Sequence, residues 1–286
     1  MMGRAKGPQP ERRAARADAP RSSPTEEAER LARLVDEKEA AMAARGRCAA
    51  CWHTREGGHC ICARLRAAAL LFDLDVRFAV YVHFKEYYSA GNSGKMLAAA
   101  APAVAEVFVH GRRGDDARLA AALERPIAEK RAALLFPDGG ADAVDAFFGA
   151  GRAAIPRVSE GRAAFWIVVV DAVWPLARKL ARHLDRVVRL PHVRLETDLV
   201  SVFARTQSEN GRVCTIEAIA LFLRECGESA DLFAKLVGFV QTNNRALGHA
   251  YAKKADLYDA GPTMGHPAWY YRLRASGWDD VPGTAS

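Results

Sequence analysis

Hydrophobic and polar residues alternate along this chain in blocks that predict short strands separated by single helices. Compact apolar runs rich in β-branched residues indicate the strands, and apolar positions three or four residues apart indicate the helices. Strands separated by single helices pair in parallel, so we expect an α/β fold with a layered, mostly parallel sheet. The predicted strands are 76–83, 106–110, 133–136, 165–170 and 186–190, and the predicted helices are 24–45, 95–104, 115–124, 141–148, one that begins at residue 175, 215–225 and 229–250.

The stretch from residue 165 to residue 182 is the best defined of these blocks. The apolar run Phe165–Val170 has the length and composition of a buried strand, and it ends abruptly at Asp171. Pro175 suits the first position of the helix that follows. Asp171 and Trp174 are therefore expected at the carboxyl end of a buried strand, where open α/β sheets bind ligands. The simpler interpretation of this pair is a helix cap and a core aromatic residue.

The ends of the chain differ in composition from its centre. Residues 1–22 are rich in Arg, Ala and Pro and predict a disordered basic arm. A charged helix is expected at 23–46, where Ser23 and Glu26 form a capping box. The main domain is expected at 47–250 and a C-terminal extension at 251–286. Within the domain we expect a cysteine knuckle at 47–62, a core at 63–226 and a terminal helix at 227–250.

Composition limits the class of protein further. The chain has 286 residues, of which 50% are hydrophobic, and a formal net charge of +7. That is enough apolar surface for one large domain, and the basic charge is compatible with a polyanionic partner. The longest apolar runs are shorter than a membrane span, so we expect a soluble protein without a membrane partner. The cytoplasm or nucleus is the expected location, and the Arg-rich N-terminus leaves an organellar one open.

Four of the six cysteines fall in one short segment and predict a structural zinc site. They form a C-x2-C pair and a C-x-C pair: Cys48, Cys51, Cys60 and Cys62. Two thiolates at the C-x2-C spacing can bind one metal ion, and four would complete a tetrahedral shell without an open position for water. No secretory segment precedes them, which favours metal binding over disulfides. His53 and His59 are alternative ligands.

Further polar clusters follow strand-like runs or begin the next helix. They are 83–86, 92–95, 135–140 and 171–174, followed by Arg205 and Thr215–Ala218. Each one alone is typical of a turn or a helix cap. Because clusters that follow parallel strands can converge at one edge of a sheet, together they predict a functional site.

The order of these motifs resembles the DTW-domain family, the tRNA-uridine aminocarboxypropyltransferases. That family has a cysteine knuckle, then His-Pro-x-Glu, Asn-Thr-Gly-Lys, Leu-Phe-Pro, Asp-x-Thr-Trp and Ser-Thr-x-Glu-Ala motifs. The corresponding segments here are 48–62, 83–86, 92–95, 135–137, 171–174 and 214–218. Four positions depart from the family pattern: Phe84, Ser93, Val173 and Cys214. Asp171 and Trp174 of the signature are retained.

The resemblance implies a fold, a cofactor and a partner. The family is similar to the SPOUT class, whose sheet carries a deep trefoil knot at the S-adenosylmethionine site. The partner it implies is tRNA and not DNA. By this resemblance the cofactor would lie among Leu135, Phe136, Pro137, Asp138, Trp174, Arg205 and Thr215.

The implied reaction moves the 3-amino-3-carboxypropyl group of S-adenosylmethionine to N3 of a uridine. N3 needs a general base, for which Asp171 is our first candidate and Glu86 the second. The sulfonium is already an activated leaving group, so no catalytic metal is required. Trp174 would pack against the aliphatic chain of the cofactor. RNA contacts are expected from His83, Asn92, Lys95 and Arg178.

Other functions stay open at this point. A related transferase could act on ribosomal RNA, and a methyltransferase could use the same cofactor. A zinc-containing RNA-binding or ribosome-associated protein without catalysis is the alternative from a different class. The sequence does not define the oligomeric state, the target uridine or the role of the aromatic residues after Gly261.

Overall fold

The computed structural model describes residues 23–149, 155–196, 201 and 213–250. The predicted basic arm at 1–22, Arg205 and the extension at 251–286 lie outside these residues. Among the described residues, no helix has both the length and the apolar character that crossing a membrane requires.

The centre of the fold is a six-stranded parallel sheet, which confirms the predicted α/β class. The strand order is β2-β1-β5-β3-β6-β4, and every neighbouring pair runs in parallel. The strands are β1 (Val76–His83), β2 (Ala105–His110), β3 (Ala132–Leu135), β4 (Asp142–Ala143), β5 (Phe165–Asp171) and β6 (His192–Arg194). The helices are α1 (Pro24–Ala44), α2 (Cys62–Ala67), α3 (Phe84–Tyr87), α4 (Lys95–Ala100), α5 (Asp115–Ala128), α6 (Val144–Gly149), α7 (Trp174–Val187), α8 (Thr215–Glu225) and α9 (Ala230–Ala250).

The alternation of side chains along β5 divides the core between the two faces of the sheet. Phe165, Ile167 and Val169 pack in one cluster with side chains from α4, α8 and α9. Trp166 and Val168 point the other way, into a cluster formed with α5 and α7. Successive residues of a strand face opposite sides, so a strand that is buried on both faces is apolar throughout.

One predicted strand is wrong. Residues 186–190 are not extended in the sheet, because α7 continues to Val187 and the strand that follows is His192–Arg194. The helical pattern explains the difference. Leu184 is buried on the same face of α7 as Leu180, and Val188 is buried at the end of the helix. Val188 and Leu190 follow the helix and pack in the core cluster of α5 and α7, so their apolar character comes from burial in that cluster and not from a strand.

The charged helix α1 packs against the sheet through a few apolar residues. It begins at the predicted capping box, in which the Glu26 amide donates to Ser23 Oγ at 3.2 Å and the Ser23 amide donates to Glu26 Oε2 at 2.7 Å. Its sparse apolar face buries Val35 against a small cluster that includes Val82 and Val109. The N-terminal helix therefore covers the carboxyl ends of β1 and β2.

Candidate active site and metal centre

The four clustered cysteines lie at metal-binding distances from one another. The Sγ atoms of Cys48 and Cys62 are 3.7 Å apart, and those of Cys51 and Cys60 are also 3.7 Å apart. All four sulfur atoms lie within 4.8 Å of one another. A tetrahedral zinc site with Zn–S bonds of about 2.3 Å has S···S edges of about 3.8 Å. The four cysteines can therefore hold one metal ion of this type.

Backbone turns bring the two cysteine pairs together. The Trp52 amide donates to the Cys48 carbonyl at 2.8 Å, and the Cys48 amide donates to the His53 carbonyl at 2.9 Å. Burial favours the neutral Cys48 thiol, but hydrogen bonds from the Cys51 and Ala50 amides outweigh this effect and lower its pKa to about 6. The Cys48 thiolate is therefore favoured at neutral pH, whereas burial raises the pKa values of the Cys51 and Cys62 thiols, which metal binding would have to deprotonate.

His53 has a different role from the ligand role that the sequence left open. Its Nε2 lies 2.8 Å from Asn243 Oδ1, and both side chains are buried. This hydrogen bond joins the cysteine knuckle to α9. The metal-binding set at the knuckle contains only the four cysteines, with neither His53 nor His59.

The carboxyl group of Asp171 lies in a pocket of small and polar groups at the end of β5. Asp171 as a whole is 7% exposed, and its Oδ2 atom is buried without a hydrogen-bond partner among the described residues. Burial raises the pKa of Asp171, and the Asn92 and Thr215 side chains oppose this by hydrogen bonding. Asp171 does not cap α7, because the N-cap residue is Val173. The simpler interpretation as a helix cap is thus excluded.

An apolar cavity lies beside this carboxyl group. Its volume is about 150 Å³, and it opens between the ends of β3, β5 and β6 and the first turns of α7 and α8. Phe136 and Trp174 form part of its wall, with ring centroids 6.2 Å apart. Five of the predicted cofactor residues line it: Leu135, Phe136, Pro137, Trp174 and Thr215. Thr215 connects the two features, because it lines the cavity and interacts with Asp171.

The family model of the DTW domain matches residues 45–253 of this chain. The chain belongs to the DTW-domain family. This is a family of tRNA-modifying enzymes. No curated protein and no solved structure gives a significant match. The segment 171–174, which resembles the family's signature, lies within the matched range and runs from the buried Asp171 to Trp174 in the cavity wall.

Two residues predicted to contact RNA are buried inside the DTW domain. Lys95 is 3% exposed, and its Nζ donates to the backbone carbonyls of Tyr87 and Ser89. Burial lowers the pKa of Lys95 to about 7, although the negative charges of Cys51 and Asp171 act to raise it. Asn92 is also buried, beside Asp171. In these positions Lys95 is not exposed to an RNA phosphate, and Asn92 is buried beside Asp171 instead of facing an RNA base at the surface.

The other two predicted RNA contacts lie nearer the surface. Arg178 is exposed on α7. His83 is half-buried at the end of β1, where its Nδ1 accepts a hydrogen bond from the Lys85 amide at 3.2 Å. Burial lowers the pKa of His83 to about 4, so a neutral ring is favoured at neutral pH. Glu86, the second candidate base, follows it in α3 and is half-buried.

Asp138 is not part of the cavity wall. Its side chain is exposed, accepts a hydrogen bond from the Gly140 amide at 3.0 Å and contacts His192. It therefore stabilises the loop after β3 rather than facing the cavity. Arg194 lines the cavity instead, a residue that sequence reasoning missed. A correct placement of β6 would have revealed it, because Arg194 is the last residue of that strand.

Cys214 stands where the family pattern has serine, and α8 still begins directly after it. The Cys214 amide donates to Glu217 Oε2 at 2.7 Å, and Ser201 Oγ donates to the same carboxylate. The capping interaction on Glu217 uses the backbone of residue 214, so it does not require a serine side chain. Thr215 is held at the first position of the helix, next to Asp171.

Proposed function

We propose that this DTW-domain protein transfers the 3-amino-3-carboxypropyl group of S-adenosylmethionine to N3 of a uridine in tRNA. The observation that carries the proposal is the position of Asp171. Its buried carboxyl group and the apolar cavity share Thr215 as a common wall, at the end of the strand that leads into the DTW signature. A base and a binding cavity side by side are what this reaction requires.

The residues around the cavity suit part of S-adenosylmethionine. Phe136 and Trp174 offer aromatic surface for an aliphatic chain or a purine ring, and Thr215 offers a hydroxyl. The volume of about 150 Å³ is below the roughly 300–1,000 Å³ of sites for drug-sized ligands, so this cavity would hold one portion of the cofactor. When bound, the cofactor would supply an activated carbon–sulfur bond that breaks as N3 attacks, with methylthioadenosine leaving as a neutral thioether.

Asp171 is the proposed general base. The N3 proton of uridine must leave before the nitrogen becomes a good nucleophile. Burial raises the pKa of Asp171, which makes its carboxylate a stronger base than an exposed one. Asn92 and Thr215 interact with the carboxyl group and would fix its direction. Alignment of base and acceptor in this way can remove several kcal/mol from the barrier.

Glu86 is the second candidate base. It lies in the short helix α3 directly after β1, and its charge contributes to the raised pKa of Asp171. As a second carboxylate near enough to influence Asp171, Glu86 would be the alternative group to take the N3 proton of the uridine.

The cysteine knuckle is the proposed structural zinc site. Four thiolate ligands fill the shell of a tetrahedral ion, so the metal would stabilise the fold and take no part in the transfer. The knuckle packs on α9 through His53 and Asn243. Its metal would thereby fix the N-terminal part of the domain against the last described helix.

The decisive experiment uses unmodified tRNA and two samples of S-adenosylmethionine, one labelled in the methyl group and one in the carboxyl carbon. We expect only the carboxyl label to enter the RNA. Asp171→Asn should lower turnover by about 10²- to 10⁴-fold, as the loss of a general base does. Asp73→Asn, at an exposed position, is the matched control and should keep full activity. Transfer of the methyl label would overturn the proposed chemistry, and activity on ribosomal RNA alone would overturn the substrate.

One observation favours a second candidate, an RNA-binding protein without catalysis. Val173 occupies the signature position where the family has threonine, and it begins α7 without a side-chain cap. The hydroxyl that this position would offer to the helix or to a ligand is missing. If neither label moves while tRNA binds tightly, this second function replaces the first.

A further inference from the structure

A second group of metal-binding side chains lies on the α5–α7 face of the sheet. His110 ends β2, Asp116 lies in the first turn of α5, and His183 lies in the third turn of α7. Each offers one ligand atom, and these three atoms lie within 4.8 Å of one another. All three residues are half-buried. The cysteine knuckle packs in the core cluster of the opposite face, so the two groups are separate.

A tyrosine on β1 fixes two members of this group. Tyr81 Oη donates to Asp116 Oδ1 at 2.6 Å and lies 3.0 Å from His110 Nδ1. Because the hydroxyl has one proton, His110 Nδ1 must donate to Tyr81, which leaves the lone pair on His110 Nε2. The other Asp116 oxygen lies 2.8 Å from His183 Nε2. In metal sites, the ring nitrogen or carboxylate oxygen that does not bind the metal is typically held by a hydrogen bond of this kind.

We propose that His110, Asp116 and His183 bind a divalent transition-metal ion such as Zn²⁺. Two imidazoles and one carboxylate are a common ligand set for such ions, and they leave positions for exchangeable ligands. The site does not depend on the transferase activity.

The open positions would face a cavity. His110 and His183 line a cavity of about 400 Å³ together with His83, whose ring centroid is 5.8 Å from that of His110. The ion would thus exchange with solvent and accept a ligand from outside, unlike the ion in the closed cysteine site.

The ligand atoms select the kind of ion. The charged side chains of Glu27, Arg30, Lys85, Lys179 and Arg186 also line the cavity, and their net positive charge disfavours every divalent cation alike. A hard ion such as Mg²⁺ or Ca²⁺ needs several oxygen ligands that this group does not supply. Imidazole nitrogen prefers zinc, nickel and copper. We therefore expect Zn²⁺ to bind and Mg²⁺ and Ca²⁺ not to compete with it.

Zinc content per chain tests the site in the full-length protein. After equilibration with buffered free Zn²⁺, we expect two ions in the wild type and one in His183→Gln and in Asp116→Asn. His192→Gln is the matched control, since His192 lies outside the group and interacts with Asp138 and Asp185. Circular dichroism verifies that each variant is folded.

Cobalt distinguishes the two sites directly. With Co²⁺ the cysteine site should give sulfur-to-metal charge-transfer absorption. A second equivalent of Co²⁺, bound at the histidine–aspartate site, should add only ligand-field bands. Those bands should disappear in His183→Gln while the charge-transfer absorption stays. One ion in the wild type, or two in the folded variants, would overturn the proposal. The hydrogen-bond network would then serve only to join α5 and α7 to the sheet.

Discussion

A Cβ atom added to Gly94 would lie 1.9 Å from Asp171 Oδ2. Gly94 has φ −63° and ψ −31°, an ordinary right-handed conformation, so its backbone does not require glycine. The requirement is space. Gly94 lets the loop between α3 and α4 approach the buried carboxyl group of β5 more closely than any side chain would allow.

Gly94→Ala should therefore displace the Asp171 carboxyl group. We expect a loss of about 1–3 kcal/mol in the free energy of unfolding, the usual cost of overpacking a buried site. Transferase activity should fall with it, because the proposed base moves. Thermal unfolding and the labelled transfer assay measure the two effects.

Gly238→Ala is the matched control for that substitution. Gly238 lies inside α9, and nothing lies within 4 Å of the position of its added Cβ. Alanine in a helix interior is favoured over glycine by up to about 1 kcal/mol, so this variant should be slightly more stable and fully active. Equal behaviour of the two variants would mean that the close approach of Gly94 to Asp171 is unimportant.

Val173→Thr should stabilise the protein. Val173 is the N-cap residue of α7, with an extended backbone (φ −61°, ψ 144°) that suits a capping side chain, and it is 43% exposed. Threonine has nearly the same shape and can accept a hydrogen bond from the first turn. A cap of this kind is worth about 1 kcal/mol, which should appear as a higher Tm. Val173→Ala supplies no cap and should not raise it; a gain in both variants would argue against capping.

Much of the fold was predictable because its patterns are local. The bounds of β1 and α8 agree with the predicted ranges 76–83 and 215–225, since an apolar run or a helical face is visible within one segment. The C-x2-C and C-x-C pairs are local too. The convergence of 135–137 and Thr215 on one cavity was expected from the family resemblance, which placed both at the cofactor site.

The features that could not be predicted depend on contacts between distant segments. Lysine is normally exposed, so nothing near Lys95 in the sequence indicated that its ammonium group would be buried against backbone carbonyls. His110, Asp116 and His183 come from three elements, and only the packing of α5 and α7 brings them together. Arg194 was missed because the strand that carries it was placed too early.

RNA binding should weaken with salt because phosphate contacts release counterions. Exposed cations on α7, among them Arg178, Lys179 and Arg182, are the proposed contacts. If about five cations of the protein contact phosphates, log affinity should fall against log salt with a slope of about −3.5 to −4.5. The triple variant with glutamine at these positions should bind more weakly and with a shallower slope. Arg125→Gln, in an ion pair with Glu129, is the control; an unchanged slope in the triple variant would exclude α7 from the RNA interface.

Loss of one knuckle cysteine should unfold the region that the metal holds together. Cys51→Ser should release the bound zinc and lower the free energy of unfolding by more than about 3 kcal/mol, beyond the range of ordinary substitutions. Cys226→Ser, half-buried outside the knuckle, should keep the metal. Metal analysis and thermal unfolding give the answer, and a stable Cys51→Ser protein without zinc would show that the fold does not need the ion.

Asp171 should cost stability at neutral pH. Burial raises its pKa in the folded state above the ordinary value of 3.8, so the folded protein holds this proton more tightly than the unfolded chain does. The free energy of unfolding therefore decreases as pH rises from the unfolded-state pKa of 3.8 through the raised folded-state pKa. It recovers as the pH falls back through the same interval. Asp171→Asn removes the titration, and we expect it to be more stable than the wild type at neutral pH, with a difference that shrinks in acid. Denaturant unfolding at several pH values measures this, with Asp73→Asn as the exposed control. A variant that is less stable than the wild type at neutral pH would mean that its contacts with Asn92 and Thr215 outweigh the burial of the charge.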